Sequence, residues 1–316
     1  MSATNDSVSA HDSDVQGDVR PDVSVCIVNW NAGEHISRCL DSIYRTRQTV
    51  AYEVIIVDND SHDGSPDLIA DRYRQAHLVR NSDNRGFGCA NNQAIAVSRG
   101  RYCLFLNPDT LLLDQTLDTM VSFMDTHLDA AVATGKVYDS AAQDRIRISF
   151  GDSFPTLRIL FLNDLVTLTG LFKLFPHSAF IQSCVWTGRN PEREQTVAQV
   201  TGAFMCVRRA AFEVVGLFDE RFFMYMEETD WCYRFKRAGW QIYYTPTSVI
   251  VHIGEGSSRL RTDRDRLYYR SICTYLEKHY GNMTAFLYRL CFFAFLKPLK
   301  AVRKIYKAVA GPGERV

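Results

Sequence analysis

From residue 22 onward, continuous apolar runs alternate with stretches whose apolar positions recur at helical spacing. VSVCIVN (23–29) is a β-branched run of the kind buried on both faces of a parallel sheet. Ile36, Cys39, Leu40 and Ile43 then mark one face of a helix. EVIIVD (53–58) predicts a second strand, Asp58, Ser61, Asp63, Gly64 and Ser65 a turn, and Pro66 the first turn of a helix. HLVR (77–80) predicts a third strand, residues 87–98 a helix, and RYCLFLN (101–107) a fourth strand that stops at Pro108 and Asp109. This rhythm predicts an α/β fold with a right-handed, mostly parallel central sheet whose ligands gather at the C-terminal ends of the strands.

After residue 140 the alternation breaks. FPTLRILFLNDLVTLTGLFKLFP (154–176) is strongly apolar and predicts a core helix pair or an exposed flap. A second structured block, 198–253, holds a strand AQVTGAFMCVRR, a helix ending at Gly216 and a strand IYYTPTSVIVH. Three regions follow from this pattern: a polar tail over 1–21, a catalytic unit over 22–258, and a helical, basic end over 259–316.

Composition narrows the class. In 316 residues, 46% are hydrophobic and 36 Lys and Arg balance 36 Asp and Glu. That is a folded globular chain, and the neutral balance argues against a nucleic-acid binder. The charge is uneven, however, since residues 259–316 hold 13 Lys and Arg against 4 Asp and Glu. Nine cysteines without a C-x-x-C pair predict neither a disulfide framework nor a zinc site, and so a reducing cytosol. The first 20 residues lack the apolar stretch of a secretory signal, and no run of 18 uncharged apolar residues predicts a spanning helix.

Polar side chains stand where an α/β sheet keeps its site. Asn29 and Asn31 follow the first strand, Asp58, Asn59 and Asp60 the second, and Asn107 and Asp109 the fourth, where a carboxylate could hold a divalent cation. Glu227, Glu228 and Asp230 form an acidic knot within MYMEETDW. Singly, each acid also suits a turn or an N-cap; jointly, they outweigh that reading.

VSVCIVNWN, IIVDNDSHDGS, NRGFGCANNQAI, YCLFLNPDT, TGAFMCVRR, FDERFFMYMEETDWCYRFKRAGW and VIVH resemble, in order, the motifs of glycosyltransferase family 2, in the bacterial branch that includes rhamnosyltransferases. The resemblance covers about residues 22–258. It implies a GT-A fold, a nucleotide-diphosphate-sugar donor such as dTDP-rhamnose or a UDP-sugar, a Mg²⁺ or Mn²⁺ ion, and inversion at the anomeric carbon. The family's D-x-D motif falls on Asn107-Pro108-Asp109, with Asp109 the metal-binding carboxylate and Asn107 in place of the first Asp. Its E-D-x-D segment falls on Glu227-Glu228-Thr229-Asp230, with Glu228 in the position of the base and Asp230 as the fallback. His252 matches a further metal ligand. Asp58 matches the acid that reads the donor's pyrimidine, and Arg85, Gly86 and Asn91 match the segment lining the nucleotide-sugar.

The C-terminus adds an expectation of its own. AFLYRLCFFAFL (285–296) is too short to span a bilayer, and the stretch over 297–309 sets Lys297, Lys300, Arg303, Lys304 and Lys307 opposite an apolar face, with Pro298 kinking the junction. This is the pattern of a helix lying on an anionic membrane surface, although packing on the domain or in a homodimer would use the same face. A cytoplasmic enzyme, peripheral on the inner membrane face and acting on a lipid-linked saccharide, is the expectation. A non-catalytic sugar-nucleotide-binding scaffold is an alternative that keeps the fold. A sugar nucleotidyltransferase would need a Gly-rich, basic first loop that NWNAGEH does not supply, and no G-x-G-x-x-G supports a dehydrogenase.

Overall fold

The computed structural model describes residues 20–175, 178, 190–254 and 263–299. The tail before Arg20 lies outside them, as does the expected basic helix beyond Leu299. β1 (Val23–Asn29), β2 (Tyr52–Asp58), β3 (His77–Arg80) and β4 (Tyr102–Leu106) are parallel, in the spatial order β3-β2-β1-β4. They are joined by α1 (Glu34–Arg45), α2 (Ser65–Arg72) and α3 (Phe87–Val97). All seven residues of β1 are buried. Ser24, the polar one among its apolar neighbours, is satisfied: its hydroxyl donates to Glu53 at 2.6 Å and accepts from the Gly100 N–H at 2.8 Å.

Beyond β4 come β5 (Thr110–Leu112), α4 (Thr116–Thr126) and β6 (Ala130–Tyr138). Then come the short strands β7 (Ile146–Arg147) and β8 (Phe150–Gly151), followed by helices α5 (Leu157–Thr169) and α6 (Leu171–Leu174). After the short β9 (Gln195–Thr196) and β10 (Gln199–Val200), strand β11 (Phe204–Arg208) inserts between β4 and β6, antiparallel to both. α7 (Arg209–Val215) and α8 (Glu227–Arg237) lead to β12 (Gln241–His252), which lies parallel to β6 and antiparallel to β5. The sheet order closes as β4-β11-β6-β12-β5.

Side chains on the two faces of this sheet fill two cores, as period-two alternation requires. Val23, Val25 and Ile27 pack with Ile36 and Leu40 of α1 and Met120 and Met124 of α4. Cys26 and Val28 pack on the other side with Ala90 and Ala94 of α3 and Trp231 and Phe235 of α8. A third cluster joins Phe222 and Met226, just before α8, to Leu160 of α5 and to α9 (Arg264–Tyr280) and α10 (Asn282–Cys291). The C-terminal helices therefore brace the segment that enters α8.

One expectation needs correction, and two are filled in. The run 198–209 is two strands, because β10 pairs with β8 in a small separate sheet and the chain turns through Thr201 and Gly202 before β11. β6 and α4 continue the α/β rhythm almost to residue 140 although neither was expected; AAVATGKVY is rich in small and polar residues, yet all but Tyr138 are buried. Residues 154–176 contain a helix pair, α5 and α6, as one of the two expected forms; α5 is half-buried over most of its length, with Leu160 and Val166 buried. At the C-terminus a π-helical turn, Phe292–Leu296, precedes Pro298. Proline lacks the N–H that would extend the regular ladder there.

Candidate active site

The ends of β1 and β2 form one hydrogen-bonded group. Asn29 donates from Nδ2 to Asp58 Oδ1 at 2.6 Å and to the Ser65 hydroxyl at 2.8 Å. Asp58 Oδ2 accepts the Ser61 N–H at 3.1 Å, and Asn31, in the left-handed region at φ 48°, accepts the His62 N–H at 2.8 Å. Asn59 donates to the Gly86 carbonyl at 3.1 Å, which ties this group to the turn that opens α3. Gly86 has φ +85°, and a Cβ there would lie 2.4 Å from the Phe223 carbonyl. The same carbonyl accepts the Phe87 N–H at 2.9 Å. Asn91 is buried in α3 and donates to the Phe87 carbonyl at 3.1 Å, while Arg85 is exposed.

The end of β4 meets the end of β12. Thr110 pairs with His252 across β5 and β12, which sets His252 Nε2 3.1 Å from Asp109 Oδ1. Arg147 of β7 approaches His252 Nδ1 from the other side at 3.4 Å and donates from Nε to Asp139 at 2.5 Å. Guanidinium only donates, so Nδ1 accepts and Nε2 carries the hydrogen turned to Asp109. Among the described residues no group of three or more His, Cys, Asp or Glu side chains converges. Asp109 and His252 form a set of one oxygen and one nitrogen donor, both nearly buried. That set suits a divalent cation whose remaining positions are filled by a ligand's own oxygens and water.

The acids of α8 divide into two kinds. Asp230, 0% exposed, accepts from Arg234 Nε at 2.9 Å, Lys278 Nζ at 2.6 Å and His279 Nε2 at 2.7 Å. Burial alone would raise its pKa, but the His279 hydrogen bond and the Arg234 and Lys278 charges outweigh that and hold it below the usual carboxylate range. Lys278 also bridges to Asp219 at 2.7 Å. Glu227 and Glu228 have no such partners. Their Oε2 atoms are buried and accept no hydrogen bond. Burial, reinforced by the Glu228 carboxylate, raises Glu227 well above its ordinary value, and burial pushes Glu228 up to about 7. Tyr225 and Met226, at φ 69° and 70°, make the left-handed turn that starts α8 and aims these acids.

Asn107, Glu227, Glu228 and His252 line one cleft of about 260 Å³, together with Phe87 and Arg147. Asp109 lies against its wall through His252. Asn29, Asn31, Asp58, Asn59 and Asn91 instead form the polar group at the β1 and β2 ends and the start of α3, and Asp230 stands behind α8 outside the cleft. The sequence reading missed Arg147 and the partnership of Asp230 with Lys278 and His279. A signal for the first exists in R-I-R-I-S (145–149), whose period-two alternation marks a strand. None exists for the second, since the partners lie 48 and 49 residues away.

This sheet order and these strand-end groups define a GT-A fold, the architecture of nucleotide-sugar-dependent transferases. Glycosyl transferase family 2 matches residues 24–215, and the chain belongs to that family. It is 30% identical over 243 residues to N-acetylglucosaminyl-diphospho-decaprenol L-rhamnosyltransferase of Mycobacterium tuberculosis, covering 72% of this chain and 75% of that one. It is 28% identical over 181 residues to rhamnosyltransferase WbbL of Escherichia coli, covering 55% and 63%. In fold it is similar to the mannosyltransferase PcManGT of Pyrobaculum calidifontis, solved with GDP-Man and Mn²⁺, at a TM-score of 0.53 and 17% identity over 93% of this chain and 77% of that one.

Breaking the Asp230 cluster removes a buried carboxylate from Arg234, Lys278 and His279. Asp230→Asn is expected to lower stability by about 3–5 kcal/mol at neutral pH. Because the folded pKa of Asp230 is depressed, its contribution is present above the ordinary carboxylate range and lost as pH falls through the folded value. Urea unfolding of both forms at pH 7 and in acid checks this: the gap between them should narrow in acid.

Proposed function

We propose that this protein is an inverting glycosyltransferase that moves a deoxyhexose, as from dTDP-rhamnose, onto a hydroxyl of a lipid-linked saccharide. The observation that carries the reading is Glu228: a buried carboxylate, one oxygen of which accepts no hydrogen bond, opening on the same cleft as Asn107 and His252. The names of the two rhamnosyltransferase relatives support the donor sugar, and the diphospho-decaprenol in one of them supports the acceptor class.

In this reading Asp58, Asn59 and Asn29 hold the nucleotide base end, and the Arg85-Gly86 turn and Asn107 flank the diphosphate. Asp109 and His252 would hold Mn²⁺ or Mg²⁺, which when bound neutralises charge on the departing diphosphate. Binding through Nε2 requires His252 to carry its hydrogen on Nδ1, so Arg147 must release that nitrogen and becomes free to face the phosphates. Glu228 accepts the proton of the attacking hydroxyl on the face opposite the leaving group, and attack from that side inverts the centre.

The apolar face at the C-terminus supports attachment to a membrane surface on the cytoplasmic side. No helix among the described residues is long and apolar enough to cross a bilayer. Met283, Phe286, Leu287, Leu290, Phe293 and Phe295 are nevertheless all exposed, and the chain that follows is basic. Such a face with cations beside it suits an interface of anionic lipid.

Four outcomes test this reading. Asp109→Ala should abolish metal-dependent nucleotide-sugar binding in calorimetry with and without Mn²⁺, together with nearly all transfer; undiminished metal-dependent binding would remove the metal assignment. Glu228→Gln should keep donor affinity while turnover falls by about 10²-fold or more. Wild-type turnover should rise with pH through about 7, because Glu228 must be ionised to accept a proton, and a pH-independent rate would assign the base elsewhere. A Phe286→Asp, Phe293→Asp double variant should lose sedimentation with anionic vesicles yet keep donor binding, and sedimentation of the wild type should weaken with salt.

A further inference from the structure

A second cavity, of about 240 Å³, opens beside the first. The two share Ile148, Thr201 and Glu228 as walls, so the Glu228 carboxylate stands at their junction. The far wall of the second is aromatic, where Tyr225 and Tyr268 meet edge to face with ring centroids 5.8 Å apart. Tyr268 comes from α9 and is 44% exposed. Burial, and after it the Asp164 and Glu228 carboxylates, nevertheless push its hydroxyl up to about 12. The hydroxyl end is thus tucked toward the protein while part of the ring stays open. Gln199, at the side of the cavity, is already committed: it accepts from the Thr229 hydroxyl at 2.7 Å and donates to the Ser153 carbonyl at 2.7 Å. Among the described residues no Lys or Arg lines this cavity.

A pyranose ring has an apolar C–H face and a rim of hydroxyls. An open aromatic plate beside a buried carboxylate is complementary to both. We propose that the second cavity takes the terminal pyranose of the acceptor, stacked on Tyr268, with one hydroxyl turned to Glu228. This rests on the glycosyl-transfer reading above. The acceptor oxygen forms its bond to the anomeric carbon as the bond from that carbon to the diphosphate oxygen breaks. The electron pair leaves with the nucleoside diphosphate, and the hydroxyl proton passes to Glu228. The family match ends at residue 215, so Tyr225, Glu228 and Tyr268 all lie beyond it.

The test uses the full chain with dTDP-rhamnose as donor and N-acetylglucosaminyl-diphospho-farnesol as acceptor. Tyr268→Ala should raise the acceptor KM by roughly tenfold, as loss of an aromatic contact predicts. Its nucleotide affinity and its slow donor hydrolysis without acceptor should stay at wild-type level, which also reports that the variant is folded. Tyr268→Phe, which keeps the ring, should restore the acceptor KM. Saturation transfer from protein to the acceptor's ring protons should be seen in the wild type and lost in Tyr268→Ala. An unchanged KM in Tyr268→Ala, or equal damage from Tyr268→Phe, overturns the stacking site. A wild-type chain that neither binds nor hydrolyses any nucleotide-sugar instead removes the glycosyl-transfer reading itself.

Discussion

The site depends on how one helix distributes its charges. Three acids within four residues would normally repel one another or attract every nearby cation. Here Asp230 takes Arg234, Lys278 and His279, while Glu227 and Glu228 pair with no cation among the described residues and each keeps one oxygen without a hydrogen bond. A desolvated carboxylate without a cationic partner holds its proton near neutrality, and that suits it to accept one. Glu228 has this property because Asp230 does not share its cations. The same cluster pins α8 to α9, so the electrostatics of the acid and the position of the helix have one origin.

The strand ends are held differently, by neutral amides more than by charge. Asn29, Asn59 and Asn107 stand among Asp58 and Asp109, and each amide can donate as well as accept. Asn29 uses its donor to satisfy a buried carboxylate, and Asn59 uses its own to close the turn at Gly86. The pair Asp109 and His252 owes its closeness to strand register, since Thr110 and His252 are partners in the sheet.

Much of this was legible in the sequence because local pattern and tertiary role coincide there. VSVCIVN and HLVR match β1 and β3 to the residue: β1 is a run buried throughout, and β3, a half-buried edge strand, is a short β-branched run between polar neighbours. The acids at strand ends were visible for the same reason: each interrupts an apolar run. β6 was not, because Ala, Gly and Lys carry little strand propensity, and its place in the sheet comes from β11 and β12 pairing on either side. The antiparallel sense of β11 is also invisible locally, because direction depends on how the chain returns. Asp230 was a fair alternative to Glu228 by spacing alone; only the arrival of Lys278 and His279 separates their roles. Tyr268 had no signal, being one aromatic residue in a helix whose neighbour across the cavity is set by tertiary packing.

The crossing of Gly86 beneath Phe223 carries a consequence for the history of such a chain. A methyl group at position 86 would stand 2.4 Å from a backbone oxygen, and a backbone oxygen cannot swing aside as a side chain does. The left-handed φ disfavours any replacement as well. Residue 86 is therefore closed to neutral drift by two independent barriers, and relaxing either alone would not open it. The turn at Gly86 and the approach to α8 can diverge in their side chains but must evolve as one piece of backbone.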